Sequence, residues 1–327
     1  RVGEQASKNL AAHHVTLKTF NSMKKKDFLS LLDFSRSELD SVIKRSSEFR
    51  QMHENKVVYQ PLIGKTAAII LQMESTRTRV GFEAGLAQLG AHPIFLSTKD
   101  TQLGRGEPIS DLGKVLSEMV DLIVIRTPRQ EDVQLLADSS SIPVINAMTT
   151  LLHPCQLLAD MQTFQELRGP ITDKKVTFVG DGYNMCHSYI NASRQWDFNL
   201  TVCCPMGFEP NEDILERETR PRLERIPEEA VSGADLVVTD VWSSMGHEGS
   251  ETERKEIFKP YQITESLLDL AKENALFMHC LPAHRGEEVN ETILDDKRSV
   301  VWHEAGNRLH SQKALVEFML KESIANP

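Results

Sequence analysis

The sequence predicts an α/β protein with two doubly wound parallel-sheet domains joined by connecting helices. Three observations lead there. Short apolar, β-branched runs alternate with longer amphipathic stretches, the pattern of parallel βαβ units. The runs form two groups of about four, parted by a helical pattern that starts near residue 157. The notable polar residues collect where the runs end, and open α/β sheets bind ligands beyond the carboxyl ends of their strands.

The first group of expected strands is Thr66 to Leu71, Pro93 to Leu96, Leu122 to Ile125 and Val144-Ile145. The second is Val176 to Val179, Leu200 to Cys203, Leu236 to Thr239 and Leu276 to Met278. Val80 to Leu89 and Asp111 to Met119 read as helices between strands. Leu157 to Leu167, apolar at 157, 158, 161, 164 and 167, reads as the helix connecting the domains, and 311–325 as a closing amphipathic helix. Residues 1–22 lack apolar periodicity, and Met23 opens the basic run Lys24-Lys25-Lys26. Met23 is read as the native start. A transit-peptide remnant is the alternative, with only Arg1, Lys8 and Lys18 to supply its positive charge.

The 327 residues suffice for two domains with real cores. No apolar run reaches ~18 residues, so no membrane helix is expected. A net charge of -10 argues against a nucleic-acid surface. It leaves room for a local arginine pocket that takes small anions. The cysteines (Cys155, Cys186, Cys203, Cys204 and Cys280) are odd in number and lack C-x-x-C spacing. They are expected as reduced thiols in a cytosol-like compartment, with no structural zinc.

Five segments could carry chemistry. Ser75-Thr76-Arg77-Thr78-Arg79 follows the first strand and precedes a helix, where hydroxyls, guanidinium groups and helix N–H groups together suit a phosphate. The same residues also read as helix caps with solvated arginines. Arg126, at another strand end, favours the anion pocket. His153-Pro154-Cys155-Gln156, at the domain junction, offers an imidazole and an amide to a carbonyl, or simply caps a helix. Val179 to Met185 tempts a dinucleotide reading, but Met185 stands where the third glycine of G-x-G-x-x-G belongs. Asp240 to Gly246 sets a carboxylate for an ammonium near Ser244 and backbone amides for a carboxylate, the needs of an α-amino acid, or else forms a capped loop. His247 to Lys255 reads as a lid. In His279-Cys280-Leu281-Pro282-Ala283-His284, neighbours on a strand face opposite ways, so substrate contact by Cys280 is favoured over a coupled Cys–His nucleophile.

Together STRTR, HPCQ and HCLP resemble the motifs of the aspartate/ornithine carbamoyltransferase family. DGYN and DVWSSMG are similar to its ornithine-using members. Gly104 to Asp111 and Glu304 to Leu315 extend the match, which runs from about residue 27 to 320. The resemblance implies a carbamoyl phosphate-binding domain at 1–152, an ornithine-binding domain at 153–305, a helix at about 306–327 that packs back onto the first, and an active site in the interdomain cleft. It implies that Ser75, Thr76, Arg77, Thr78, Arg126, His153, Gln156, Cys280, Leu281 and Arg308 bind carbamoyl phosphate. Of these, Arg77, Arg126, His153 and Cys280 would be catalytic. Asn184, Asp240, Ser244 and Met245 would hold L-ornithine.

The resemblance further implies no cofactor and no metal, a homotrimer or a multiple of trimers, and a cytoplasmic location (the mitochondrial matrix in a eukaryote). Neither nucleic acid nor membrane is an expected partner. Two departures stand out. Leu71-Gln72-Met73-Glu74 occupies the place of F-E-K-x, so Met73 stands for a lysine, and Tyr183 takes the place of one of two paired asparagines. A nicotinamide-dependent oxidoreductase and an inactive binding protein of the same fold are the competing expectations.

Overall fold

The computed structural model describes residues 25–97, 106–215, 221–243 and 251–321. Two parallel sheets organise them. The first holds β1 (Thr66–Leu71), β2 (His92–Ser97), β3 (Leu122–Arg126) and β4 (Val144–Met148) in the order β2-β1-β3-β4. The second holds β5 (Lys175–Val179), β6 (Asn199–Cys203), β7 (Arg222–Glu224), β8 (Leu236–Thr239) and β9 (Leu276–His279) in the order β7-β6-β5-β8-β9. All pairings are parallel. The strand order therefore reverses between β1 and β3 and again between β5 and β8, and such switch points open a crevice at the carboxyl edge.

Both faces of each sheet are covered, which is why the strands read as continuous apolar runs. Ala67, Ile69 and Leu71 of β1 enter one buried cluster, and Ala68 and Ile70 the one on the opposite face. Val238 and Val237 of β8 divide in the same way. The largest cluster passes from β1 through Leu157, Leu158, Met161 and Phe164 to Phe178 of β5, so the two sheets share a continuous core.

The longer helices are α1 (Arg36–Glu54), α2 (Thr76–Gln88), α3 (Ile109–Ser117), α4 (Gln130–Ser139), α5 (Pro154–Arg168), α6 (Asn184–Trp196), α7 (Glu251–Phe258) and α8 (Val301–Met319). Ser35 and Glu38 form a capping box on α1. Pro154 opens α5, where its fixed φ suits the first turn, and Gly169 closes it at φ 76°. α8 packs against α1, α2 and α5.

Three expectations need correction. Thr76 to Arg79 do not precede the helix but form its first turn, with Ser75 as N-cap. The closing helix starts at Val301, ten residues before position 311. Its first half buries Glu304, Asn307, Arg308 and His310, so no apolar stripe marks it. β7 was not expected at all, because it is a three-residue edge strand with mostly exposed side chains. Residues 1–24 and 247–250 lie outside the described residues, and the rest of the expected lid, 251–255, is not a loop but the start of α7, where Arg254 is buried and pairs with Asp181. No helix among the described residues is long and apolar enough to cross a membrane.

Candidate active site

The carboxyl edges of the two sheets face each other across a cavity of about 390 Å³. Ser75, Thr76, Arg77, Arg126, His153 and Arg308 line it on one side. Asn184, Asp240, Cys280 and Leu281 line it on the other. Each comes from a strand end or from the first turn of the helix that follows, except Arg308, which α8 delivers. Thr78 and Gln156 stand one layer behind the wall. Ser244 and Met245 lie outside the described residues.

The first wall is a cluster of cations. The Ser75 hydroxyl accepts the Thr78 N–H at 3.2 Å, capping α2 beside the cavity, where the first N–H groups of a helix have no intrahelical partner. Arg77, Arg126 and Arg308 are close enough to repel one another. None forms an ion pair with a carboxylate among the described residues. Arg126 is buried at the end of β3 with its Nε unpartnered. Burial, then repulsion from Arg308 and Arg77, brings its guanidinium down to about 10, so it stays charged at neutral pH. Burying charge without a partner is costly, so an anion in the cavity would stabilise the trio. Arg79 is not part of it, since its guanidinium lies 3.7 Å above the Phe95 ring and pairs with Glu83 at 3.2 Å.

His153 caps α5, its backbone N–H donating to the Ser188 hydroxyl at 2.7 Å. Burial, aided by Arg308, Arg126 and Arg77, pushes its imidazole well below the usual histidine range. The ring is therefore neutral at physiological pH and can polarise a carbonyl by hydrogen bonding, not by supplying a proton from an imidazolium.

The second wall carries the opposite charge. Asp240 Oδ1 accepts the Val241 N–H at 2.8 Å and the Cys280 thiol at 3.2 Å. Burial raises the Asp240 carboxyl, and an ammonium beside it would lower it again. Burial, then Asp240, pushes the Cys280 thiol well above its ordinary value, so it is a protonated contact group and not a thiolate. His279 turns away from it. Its Nδ1 accepts the Leu281 N–H at 2.9 Å, and its Nε2 meets Glu288 at 2.9 Å. The metal-capable atoms of Asp240, His279 and Cys280 lie within 4.8 Å of one another, but with both imidazole nitrogens engaged the set fits an ion poorly.

Asn184 bridges the walls, its amide donating to the Thr149 carbonyl at 2.9 Å from the start of α6. The Gly180-Gly182 turn does not offer a dinucleotide site. A Cβ on Gly182 would lie 2.4 Å from Pro210 N, so that turn is already covered by backbone.

Several lining residues carry no role in the sequence reading, Met73 and Tyr183 among them although both mark departures from the family pattern. Met73 and Glu74 border the anion side, and Met148 and Thr150 edge the junction before α5. Tyr183, Met185, Val241, Ser243, Pro282 and His284 border the other side. Their signal was position, since each adjoins a strand end already singled out.

The comparisons with known proteins bear on the family and the fold. Residues 26–166 match the model described as aspartate/ornithine carbamoyltransferase, carbamoyl-P binding domain, and residues 172–319 the corresponding Asp/Orn binding domain. An ornithine carbamoyltransferase of Psychrobacter sp. (strain PRwf-1) is 55% identical over 303 residues, covering 92% of this chain and 99% of that one. An anabolic ornithine carbamoyltransferase of Pseudomonas aeruginosa is 51% identical over 302 residues, covering 92% and 99%. The solved ornithine carbamoyltransferase of Burkholderia thailandensis E264 superposes with a TM-score of 0.84 at 45% identity, covering 90% of this chain and 98% of that one. The chain belongs to the aspartate/ornithine carbamoyltransferase family.

Proposed function

We propose that this member of the family transfers the carbamoyl group of carbamoyl phosphate to the δ-amine of L-ornithine, giving L-citrulline and phosphate, in arginine biosynthesis. One observation carries the reading: three guanidinium groups that form no ion pair with a carboxylate among the described residues face the half-buried carboxyl group of Asp240 across one cavity. That is one half-site for a dianion and another for an ammonium.

The residue roles are part of the proposal. Ser75, Thr76, Arg77 and Thr78 hold the phosphate through the first turn of α2. Arg126 and Arg308 complete its charge balance. Neutral His153, with Arg77 and Arg126, stabilises the negative charge that grows on the carbonyl oxygen; one such donor is typically worth ~3 kcal/mol. Cys280 and Leu281 orient the carbamoyl group, and Gln156, one layer behind, acts on it through Arg308. Asn184, Asp240, Ser244 and Met245 hold the α-amino and α-carboxylate groups of ornithine. The neutral δ-amine attacks the carbamoyl carbon, its N–C bond forming as the C–O bond to phosphate breaks. Phosphate leaves with the bonding electrons into the cationic wall, and the amine sheds its extra proton. Placing two substrates across one crevice supplies much of the rate.

The division of labour proposed is carbamoyl phosphate at 1–152 with 306–327 packed back onto it, and ornithine at 153–305. A homotrimer, or a multiple of it, and a cytoplasmic location are proposed from the family resemblance, and sedimentation of the purified chain checks the first. The deciding assay supplies carbamoyl phosphate with ornithine, aspartate, putrescine or an N-acylated ornithine. Citrulline and phosphate should appear with ornithine. Turnover with another amine alone would move the chain to a sister activity.

A further inference from the structure

Behind Arg308 lies a polar cluster that the transfer chemistry above does not use. Asp160 on α5 and Glu304 on α8 are 0% and 1% exposed, and the single Gln156 amide nitrogen reaches an oxygen of each, at 2.9 and 3.1 Å, which holds the two carboxyl groups side by side. Two ionised carboxylates held this close in a buried site repel each other strongly, and one proton on the pair removes that repulsion. The other partners are neutral donors. Asp160 accepts from the Tyr189 hydroxyl at 2.7 Å and the Gln156 amide at 2.9 Å. Glu304 accepts from the same amide at 3.1 Å and from the His279 backbone N–H at 3.0 Å.

The nearest cation is Arg308, which donates from Nη1 to the Gln156 carbonyl oxygen at 2.7 Å. A single proton on the pair leaves one negative charge against one positive. Two ionised groups would leave a buried charge uncompensated, which is strongly disfavoured. Burial raises both carboxyls, and the Asp160 charge lifts Glu304 well above the usual carboxylate range.

The cluster fixes the direction of Gln156. Both amide N–H groups go to carboxyl oxygens, so its carbonyl must face Arg308. The guanidinium is thereby held on the cavity wall, with Nη2 3.4 Å from the Thr78 hydroxyl. Through His279, Glu304 also anchors the strand end that leads into Cys280. The pair thus ties the cationic wall to the anionic one at a single point.

We propose that Asp160 and Glu304 share one proton and are positioning residues for the transfer, aiming Arg308 through Gln156. The kinetic part rests on the carbamoyl-transfer reading, and the shared proton does not. Glu304→Gln or Asp160→Asn alone replaces the proton by an amide N–H, so each single variant keeps its activity within about tenfold. The double variant sets donor against donor and removes the counter-charge of Arg308. Its kcat/KM for carbamoyl phosphate should fall roughly hundredfold with KM for ornithine little changed.

Infrared spectroscopy of the whole protein at about pH 8 should show the carbonyl band of a protonated carboxyl group, lost in either single variant. A wild-type protein without that band, a single variant that is folded yet falls hundredfold, or a double variant at the wild-type rate would overturn the proposal. If the double variant does not fold, the band and the single variants still decide. A wild-type protein with the band but no citrulline formation would sink the transfer reading and leave the shared proton standing.

Discussion

The two walls of the cavity differ in how far they are satisfied without a ligand. On the anionic side, Asp240 already receives the Val241 N–H and the Cys280 thiol, and both ends of the Asn184 amide are engaged. On the cationic side, Arg126 and Arg308 each retain an unpartnered Nε, and Arg126 forms no ion pair with a carboxylate among the described residues, while Arg308 has the Asp160–Glu304 pair behind it. A wall that holds uncompensated charge gains most from a ligand, because the cost of burying that charge has already been met by the fold. The difference teaches where a ligand would gain most: an anion on the cationic side would relieve the repulsion among the guanidinium groups that loads that wall.

The strongest way to break the comparison is Arg126→Ala. Loss of one charge-stabilising donor should lower kcat by roughly 10²- to 10³-fold, and calorimetry should find carbamoyl phosphate binding largely gone. Unchanged affinity would mean that the anion sits elsewhere. Asp240→Asn acts on the opposite wall and should do less. KM for ornithine should rise roughly tenfold to hundredfold, the worth of a charged hydrogen bond, with carbamoyl phosphate affinity unchanged. If both ligands weakened together, the walls would not be separate half-sites.

The same contrast governed what could be read from the sequence. The cationic wall was legible because its residues follow apolar parallel strands directly, so Ser75, Arg77 and Arg126 stand out against β1 and β3. Asp240 and Cys280 were legible for the same reason after β8 and β9. Arg308 was reached through resemblance alone, since the helix that carries it buries polar residues and shows no apolar period. The Asp160–Glu304 contact could not be read at all. It joins positions far apart in the chain, and two like-charged residue types do not suggest a pair. The state of His153 was likewise closed to the sequence, because it depends on three arginines that arrive from α2, β3 and α8.

That state gives the smallest expected effect, and it sharpens the comparison from the cationic side. Protons leave Arg126 only near about pH 10, and His153 is neutral from well below its ordinary range upward. Between about pH 7 and pH 9 the cationic wall therefore keeps one charge state. The substrate amine does not: an alkyl ammonium with a pKa of ~10.4 gains neutral fraction roughly tenfold per pH unit below that value. The rate at subsaturating ornithine should climb with pH across this window with no step near the usual histidine value. NMR of the histidine ring resonances from about pH 5 to 8 should show His153 not titrating. A normal titration there would mean that the three arginines do not bear on the imidazole, and the cationic wall would have to be drawn without it.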